Sequence, residues 1–176
     1  MTKGYLKKCI LGAMSILILT GCVYNPSIEK LNKMAMDQMQ SGNYDAAIQK
    51  LQAINDLDST IANNYYNLGI AYSQKEDYEN SIKNFRKAIR LNPTYAKSYF
   101  SLAVVEENYS ITLSNDENKL KDKNKVKQII DLLTDANKNY SDYITKPKAQ
   151  DIPTVNQKFA VIKADIEKYS QIYSKL

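Results

Sequence analysis

The chain has 176 residues with 24 basic and 19 acidic side chains, a formal net charge of +5 at pH 7, and no histidine. Without histidine, Ser-His and Cys-His nucleophile pairs and most transition-metal sites are excluded. The five glycines are too few and too scattered for a phosphate-binding loop. The composition therefore predicts no catalytic residue, no metal site and no cofactor, and it argues against an enzyme.

The first 21 residues have the layout of a secretory signal peptide. Three lysines precede a short apolar run, Ile10–Leu19, which is too short for a comfortable membrane span. The run leads into Leu19-Thr20-Gly21-Cys22, which resembles the lipobox of bacterial lipoproteins. That resemblance implies cleavage before Cys22, acylation of its thiol and amine, and a lipidated tether over residues 22–27. The alternative is an unmodified thiol in an anchor that is not cleaved.

Cleavage would change both the charge and the expected location of the protein. Removing residues 1–21 takes away three lysines and lowers the net charge from +5 to +2, which gives little support to a nucleic-acid partner. The lipoprotein resemblance implies an extracytoplasmic protein held to a bacterial membrane by its lipid. In enteric bacteria Asp after the acylated cysteine favours the inner membrane, so Val23 favours the periplasmic face of the outer membrane where two membranes exist.

One pattern occurs twice at an interval of 34 residues, in segments 28–61 and 62–95. The second copy has an aromatic residue, Leu-Gly, Tyr, a small residue, Phe, Ala and Pro at fixed spacing: Tyr65, Leu68, Gly69, Tyr72, Ser81, Phe85, Ala88 and Pro93. These positions resemble the tetratricopeptide repeat. The resemblance implies an all-α fold, a short α-solenoid of helix hairpins, which is a binding scaffold far more often than a catalyst.

Several positions support helix hairpins on physical grounds. Asn43 and Asp77 are suitable N-caps for the second helix of each hairpin. Asn92 precedes Pro93, which disfavours the helical conformation and predicts the end of a helix there. One position is small in all three copies, which lets two helix backbones approach closely: Ala35, Gly69 and Ala103.

The third copy, 96–143, is interrupted. Its second helix should start near Asn115, but the pattern resumes 14 residues late, with Ile129, Leu133 and Ala136 at the spacing of Ser81, Phe85 and Ala88. The delay predicts an insertion near 110–127 in the turn between the two helices. A mobile, solvated loop is favoured over a functional one, because the stretch is rich in Asn, Asp and Lys.

The last segment, 147–176, is predicted to be a linker followed by one helix. Pro147 and Pro153 mark the linker. An apolar stripe in steps of four and three follows, at Val155, Phe159, Ile162, Ile166, Tyr169 and Tyr173. We interpret this helix as a cap on the last repeat, and the alternative is a helix that docks a partner or a second copy.

The resemblance also implies a binding groove lined by the first helix of each repeat. Carried over position by position, the family pattern assigns this groove to Asn32, Met36, Asn63, Tyr66, Ile70, Lys97, Phe100 and Val104. An apolar strip flanked by polar residues suits a peptide or a helix. Two states of the strip remain open, because the terminal helix or the chain before residue 28 could cover it.

These observations favour a membrane-anchored, extracytoplasmic adaptor that binds another cell-envelope protein or peptide during assembly or secretion. The alternative is a lipoprotein that holds a small molecule or glycan between the repeats and the last helix. An open groove would favour the adaptor, and an enclosed cavity would favour the alternative.

Overall fold

A computed structural model describes residues 25–176, and the predicted signal peptide and Cys22 lie outside this range. Within it the chain is all α-helical, as predicted, with a short 3₁₀ turn at Lys119–Lys121 and no strand. The helices are α1 (Pro26–Gln40), α2 (Tyr44–Leu57), α3 (Ala62–Gln74), α4 (Tyr78–Leu91), α5 (Ala96–Ser114), α6 (Lys123–Ile144) and α7 (Ile152–Lys175). No described helix is both long and apolar enough to span a bilayer.

The helices form a solenoid in which each one packs mainly against its neighbours along the chain. Short turns at 41–43, 58–61, 75–77 and 92–95 make consecutive helices antiparallel. As a result α1, α3, α5 and α7 all begin at one edge of the array, which we call the starting edge. A hydrogen bond from the Tyr95 hydroxyl to Asn63 Oδ1, 2.9 Å long, joins the beginnings of α5 and α3 at this edge.

The helix ends form where the sequence places them. The Asn43 side chain accepts a hydrogen bond from the Ala46 N–H at 3.4 Å, and Asp77 accepts one from the Asn80 N–H at 3.2 Å. Both caps satisfy a backbone donor that the first turn of a helix leaves free. Helix α4 ends at Leu91, directly before the Asn92-Pro93 pair.

The small residue at position 69 makes room for a ring instead of a second backbone. A Cβ atom at Gly69 would lie 2.7 Å from two carbons of the fully buried Phe85 ring. The Ser81 hydroxyl also donates to the Gly69 carbonyl at 2.7 Å. Helix α4 therefore lies against α3 through one aromatic face and one buried hydrogen bond.

The third hairpin differs from the expected long loop. Most of the segment 110–127 is helical, because α5 and α6 both extend into it. Helix α5 has 19 residues against 13 in α3, and α6 has 22 against 14 in α4. Only residues 115–122 form the turn. Leu113 and Val126 are buried in the core, so packing stabilises these added helical turns despite the polar composition around them.

Helix α7 packs along α6 at the end of the array. It buries Val155, Ile162 and Tyr169, which share one side because they lie seven residues apart. Most of its other side chains are exposed or half-buried. This one-sided burial is the arrangement expected of a terminal helix that covers the last hairpin.

Candidate functional site

Aromatic rings from four helices and one turn gather near the starting edge. The Tyr66 ring on α3 lies 5.1 Å from Tyr95 and 5.6 Å from Phe85, measured between centroids. On α5, the Phe100 ring lies 5.2 Å from Tyr143 and 5.7 Å from Tyr140. Tilted ring pairs at such distances stabilise one another beyond the area they bury. The rings are therefore held in place before any ligand arrives.

An open cleft lies between these rings. We call it the aromatic cleft; its volume is about 270 Å³, and its main lining residues are Tyr66, Lys97, Phe100, Tyr143 and Gln150. A second cleft of about 610 Å³ adjoins it and shares Lys97, Tyr143 and Gln150. The turn 92–95 and the segment 145–151 supply most of the second cleft's remaining walls. Neither cleft is enclosed, so the pair resembles a groove more than a cavity.

Two lysine side chains at the clefts are available to contact a ligand. Lys97 and Lys148 are exposed, and neither forms an ion pair with another described residue. The Asp151 carboxylate is engaged by the Thr154 hydroxyl at 2.8 Å. Burial raises the pKa of Tyr95, and the nearby Tyr66 adds to the shift, so its hydroxyl stays protonated and donates to Asn63.

The predicted groove residues do not all come together. Tyr66, Lys97 and Phe100 line the aromatic cleft, whereas Asn63 is tied to Tyr95. The remaining four lie outside both clefts. Ile70 and Val104 are half-buried against the core, Asn32 is half-buried on α1, and Met36 is 42% exposed there.

Sequence reasoning missed the wall that the end of α6 and the following turn contribute to the clefts. Tyr143, Lys148 and Gln150 belong to the third repeat's end and the following turn, which the repeat pattern assigns to no groove position. The Tyr143 hydroxyl donates to the Gln150 carbonyl at 2.8 Å and accepts from the Gln150 N–H. This pair fixes the segment against the cleft.

The last helix covers part of α5 on the side that carries Phe100, which we call the groove face. Glu107 on α5 accepts hydrogen bonds from Lys158 Nζ of α7 at 2.7 Å and from the Tyr140 hydroxyl at 3.0 Å. Burial, with the adjacent Glu107, raises the pKa of Tyr140. The groove face is therefore occupied at Glu107 and open at Phe100, which combines both states anticipated from the sequence.

A buried carboxylate lies on the other side of α5, and no local pattern in the chain marks it as buried. Glu106 has no exposed surface and accepts from Arg86 at 3.0 Å and from Asn139 at 2.7 Å. Arg86 also bonds Asp135 at 2.8 Å. Burial raises the pKa of Glu106 to about 7, against the opposing effects of Asn139 and Arg86. Nothing nucleophilic faces this carboxylate among its partners, so its evident role is to join α4, α5 and α6.

No group of residues within 25–176 is arranged to hold a metal ion. The side chains that line the two clefts offer aromatic rings, amides, hydroxyls, lysines and the Asp151 carboxylate for contact with a ligand.

Residues 62–95 match the family model of the tetratricopeptide repeat. The match identifies residues 62–95 as a tetratricopeptide repeat, and the solenoid of helix hairpins around this segment has the same type of fold. No curated protein matches the chain in a sequence comparison.

Solved structures share the fold at low sequence identity. The first tetratricopeptide domain of Spaghetti (RPAP3), bound to an HSP90 peptide, has a TM-score of 0.62 and 16% identity, over 82% of this chain and 97% of that one. The secretion chaperone SycD of Yersinia enterocolitica, in complex with a peptide of the translocator YopD, has a TM-score of 0.55 and 20% identity, over 82% and 98%. The TPR2B domain of yeast Sti1, in a complex with pHsp70, has a TM-score of 0.57 and 11% identity, over 80% and 99%.

Proposed function

We propose that this protein is a lipid-anchored adaptor of the bacterial cell envelope that binds a short segment of another envelope protein in the aromatic cleft. The observation that carries the proposal is the open cleft in which Tyr66, Phe100 and Tyr143 surround exposed Lys97 and Gln150. Fixed aromatic faces beside a few polar groups are the usual composition of a recognition site.

The shape of the clefts favours a peptide over a small molecule. Two adjoining clefts with shared walls give an extended path, whereas a small ligand is normally buried on most of its surface. Polar groups along this path, including Lys97, Ser101 and Gln150, can bond a peptide backbone. The similar solved structures that hold peptides of other proteins support this interpretation by analogy of fold.

Photo-crosslinking in the native cell tests the cleft. A photoreactive residue placed at Gln150, which lines both clefts, should form an adduct with a defined envelope protein. The same residue at Lys163, exposed on α7 and outside both clefts, is the matched control. A Ser101→Trp substitution should fill the aromatic cleft and abolish the adduct while the helical circular dichroism is retained. Identical adducts from Gln150 and Lys163 would remove the cleft from the proposal.

The anchor is tested separately. Mass spectrometry of the protein purified from membranes should show a chain that begins at Cys22 and carries acyl groups, and Cys22→Ser should release the protein or leave its precursor uncleaved. More than one acyl chain is needed for stable membrane attachment. A mature chain that retains residues 1–21 without lipid would contradict this part of the proposal.

A further inference from the structure

We propose that the starting edge is a membrane-docking surface that rests on lipid headgroups, with Leu57 and Ile152 as its apolar contacts. The inference rests on the Cys22 anchor of the proposed function and adds an orientation to it. It also places the mouth of the second cleft at the bilayer.

The geometry of the solenoid puts the tether at this edge. Helix α1 begins at Pro26, at the same edge as α3, α5 and α7. Four residue steps separate Cys22 from Pro26, and a fully extended chain covers at most about 14 Å in four steps. An acylated Cys22 therefore holds the starting edge close to the headgroups, while the opposite edge lies a helix length away.

Exposed apolar side chains give this edge a means of contact. Leu57, at the end of α2, is 51% exposed, and Ile152, at the beginning of α7, is 38% exposed. They lie towards opposite ends of the array, one in the first hairpin and one in the last helix. Two such contacts, together with the tether, define a plane and would keep the array from pivoting about α1.

Charge plays a secondary part. The basic residues at the starting edge, where cations are attracted to an anionic surface, are Arg90, Lys97, Lys146 and Lys148. The edge also carries five acids: Glu29, Asp56, Asp58, Asp142 and Asp151. Thr60 and Thr154 bond two of these carboxylates, those of Asp58 and Asp151. Because the basic and acidic groups nearly cancel, the apolar contacts and the tether set the orientation.

In this orientation the second cleft lies next to the membrane. Its walls include Thr94 and Tyr95 from the turn before α5 and Pro147 and Lys148 from the turn after α6. All four residues lie at the starting edge, so the cleft opens beside the bilayer. A partner that reaches it would present a segment that lies immediately outside the same membrane.

Tryptophan fluorescence can test the orientation, because the chain contains no tryptophan. Leu57→Trp and Ile152→Trp place a reporter on the starting edge. Ile111→Trp is the matched control, since Ile111 is 49% exposed and lies 15 residues along α5, about 22 Å from its beginning. Circular dichroism of each variant checks that the helices are intact.

The full chain carrying Cys9→Ser is coupled through Cys22 to maleimide lipids in vesicles of phosphatidylethanolamine and phosphatidylglycerol with a small fraction of dansyl headgroups. We expect energy transfer to the dansyl groups to be several-fold stronger from Leu57→Trp and Ile152→Trp than from Ile111→Trp. The emission maximum of both edge variants should also shift to the blue on the vesicle. Equal transfer from all three variants, or edge variants whose emission matches that in solution, would overturn the inference.

The anchor is assessed independently of this orientation. Flotation of cell-derived protein with its native membranes reports whether Cys22 is acylated in the cell, and the chemically tethered chain reports the orientation in either case. Loss of flotation would therefore count against the proposed anchor, and the fluorescence result alone decides the docking edge.

Discussion

The packing of Gly69 against Phe85 predicts that a substitution which favours helix formation will nevertheless destabilise the protein. Alanine stabilises a helix interior by about 1 kcal/mol relative to glycine. The new Cβ would, however, lie 2.7 Å from the Phe85 ring, which has no exposed surface. Overpacking of this kind costs about 1–3 kcal/mol, so after the helical gain is subtracted Gly69→Ala should lower the free energy of unfolding by up to about 2 kcal/mol.

The chain supplies its own control for this prediction. In the first repeat, Ala35 stands at the position of Gly69 and Leu51 at the position of Phe85. Ala35 and Leu51 are both fully buried. The third repeat has the same combination. Alanine is thus paired with leucine, and glycine with the larger phenylalanine. The double variant Gly69→Ala/Phe85→Leu should therefore recover stability that the single variants lose. The measurement is a double-mutant cycle from urea unfolding followed by circular dichroism. Strictly additive effects would refute the reasoning.

Two other predictions concern pH and the terminal helix. The pKa of Glu106 rises from 4.5 to about 7 on folding, so the folded state binds more protons than the unfolded state between these pH values. The free energy of unfolding therefore falls by up to about 3 kcal/mol as the pH rises from 4.5 to 7. Glu106→Gln should therefore gain stability relative to the parent protein between pH 4.5 and 8 in urea titrations, and a constant difference across that range would argue against the buried-carboxylate explanation. Deletion of Thr154–Leu176 should uncover the apolar side of α6 and cause aggregation or loss of helicity; a soluble truncation with undiminished helicity per residue would show that α7 is not a cap.

The repeat architecture could be predicted because its signals are local. The caps Asn43 and Asp77 and the stop before Pro93 each act within one turn of helix, so their residue types suffice. The group that packs against Gly69 could not be inferred, since a small residue is compatible with either a neighbouring backbone or a neighbouring ring. The two possibilities differ only in three dimensions.

Features that depend on distant residues were missed. Glu106 meets Arg86 at a separation of 20 residues and Asn139 at a separation of 33, so nothing near it in the chain indicates burial. The same applies to the aromatic cleft, in which the repeat pattern identifies Phe100 but not Tyr143. The polar stretch after Ser114 suggested a long loop, because composition does not show that Leu113 and Val126 extend the core beneath it.

The unequal helix lengths of the hairpins give the array two heights. Helix α5 exceeds α3 by six residues, or about 9 Å. Lys123 at the beginning of α6 lies 4.8 Å from the Tyr173 ring near the end of α7, so the last helix reaches the same level. The described part of the molecule therefore has a step on the side opposite the starting edge. A flat protein surface approaching from that side would meet the taller half first, and only a partner with a matching ledge could touch both halves at once.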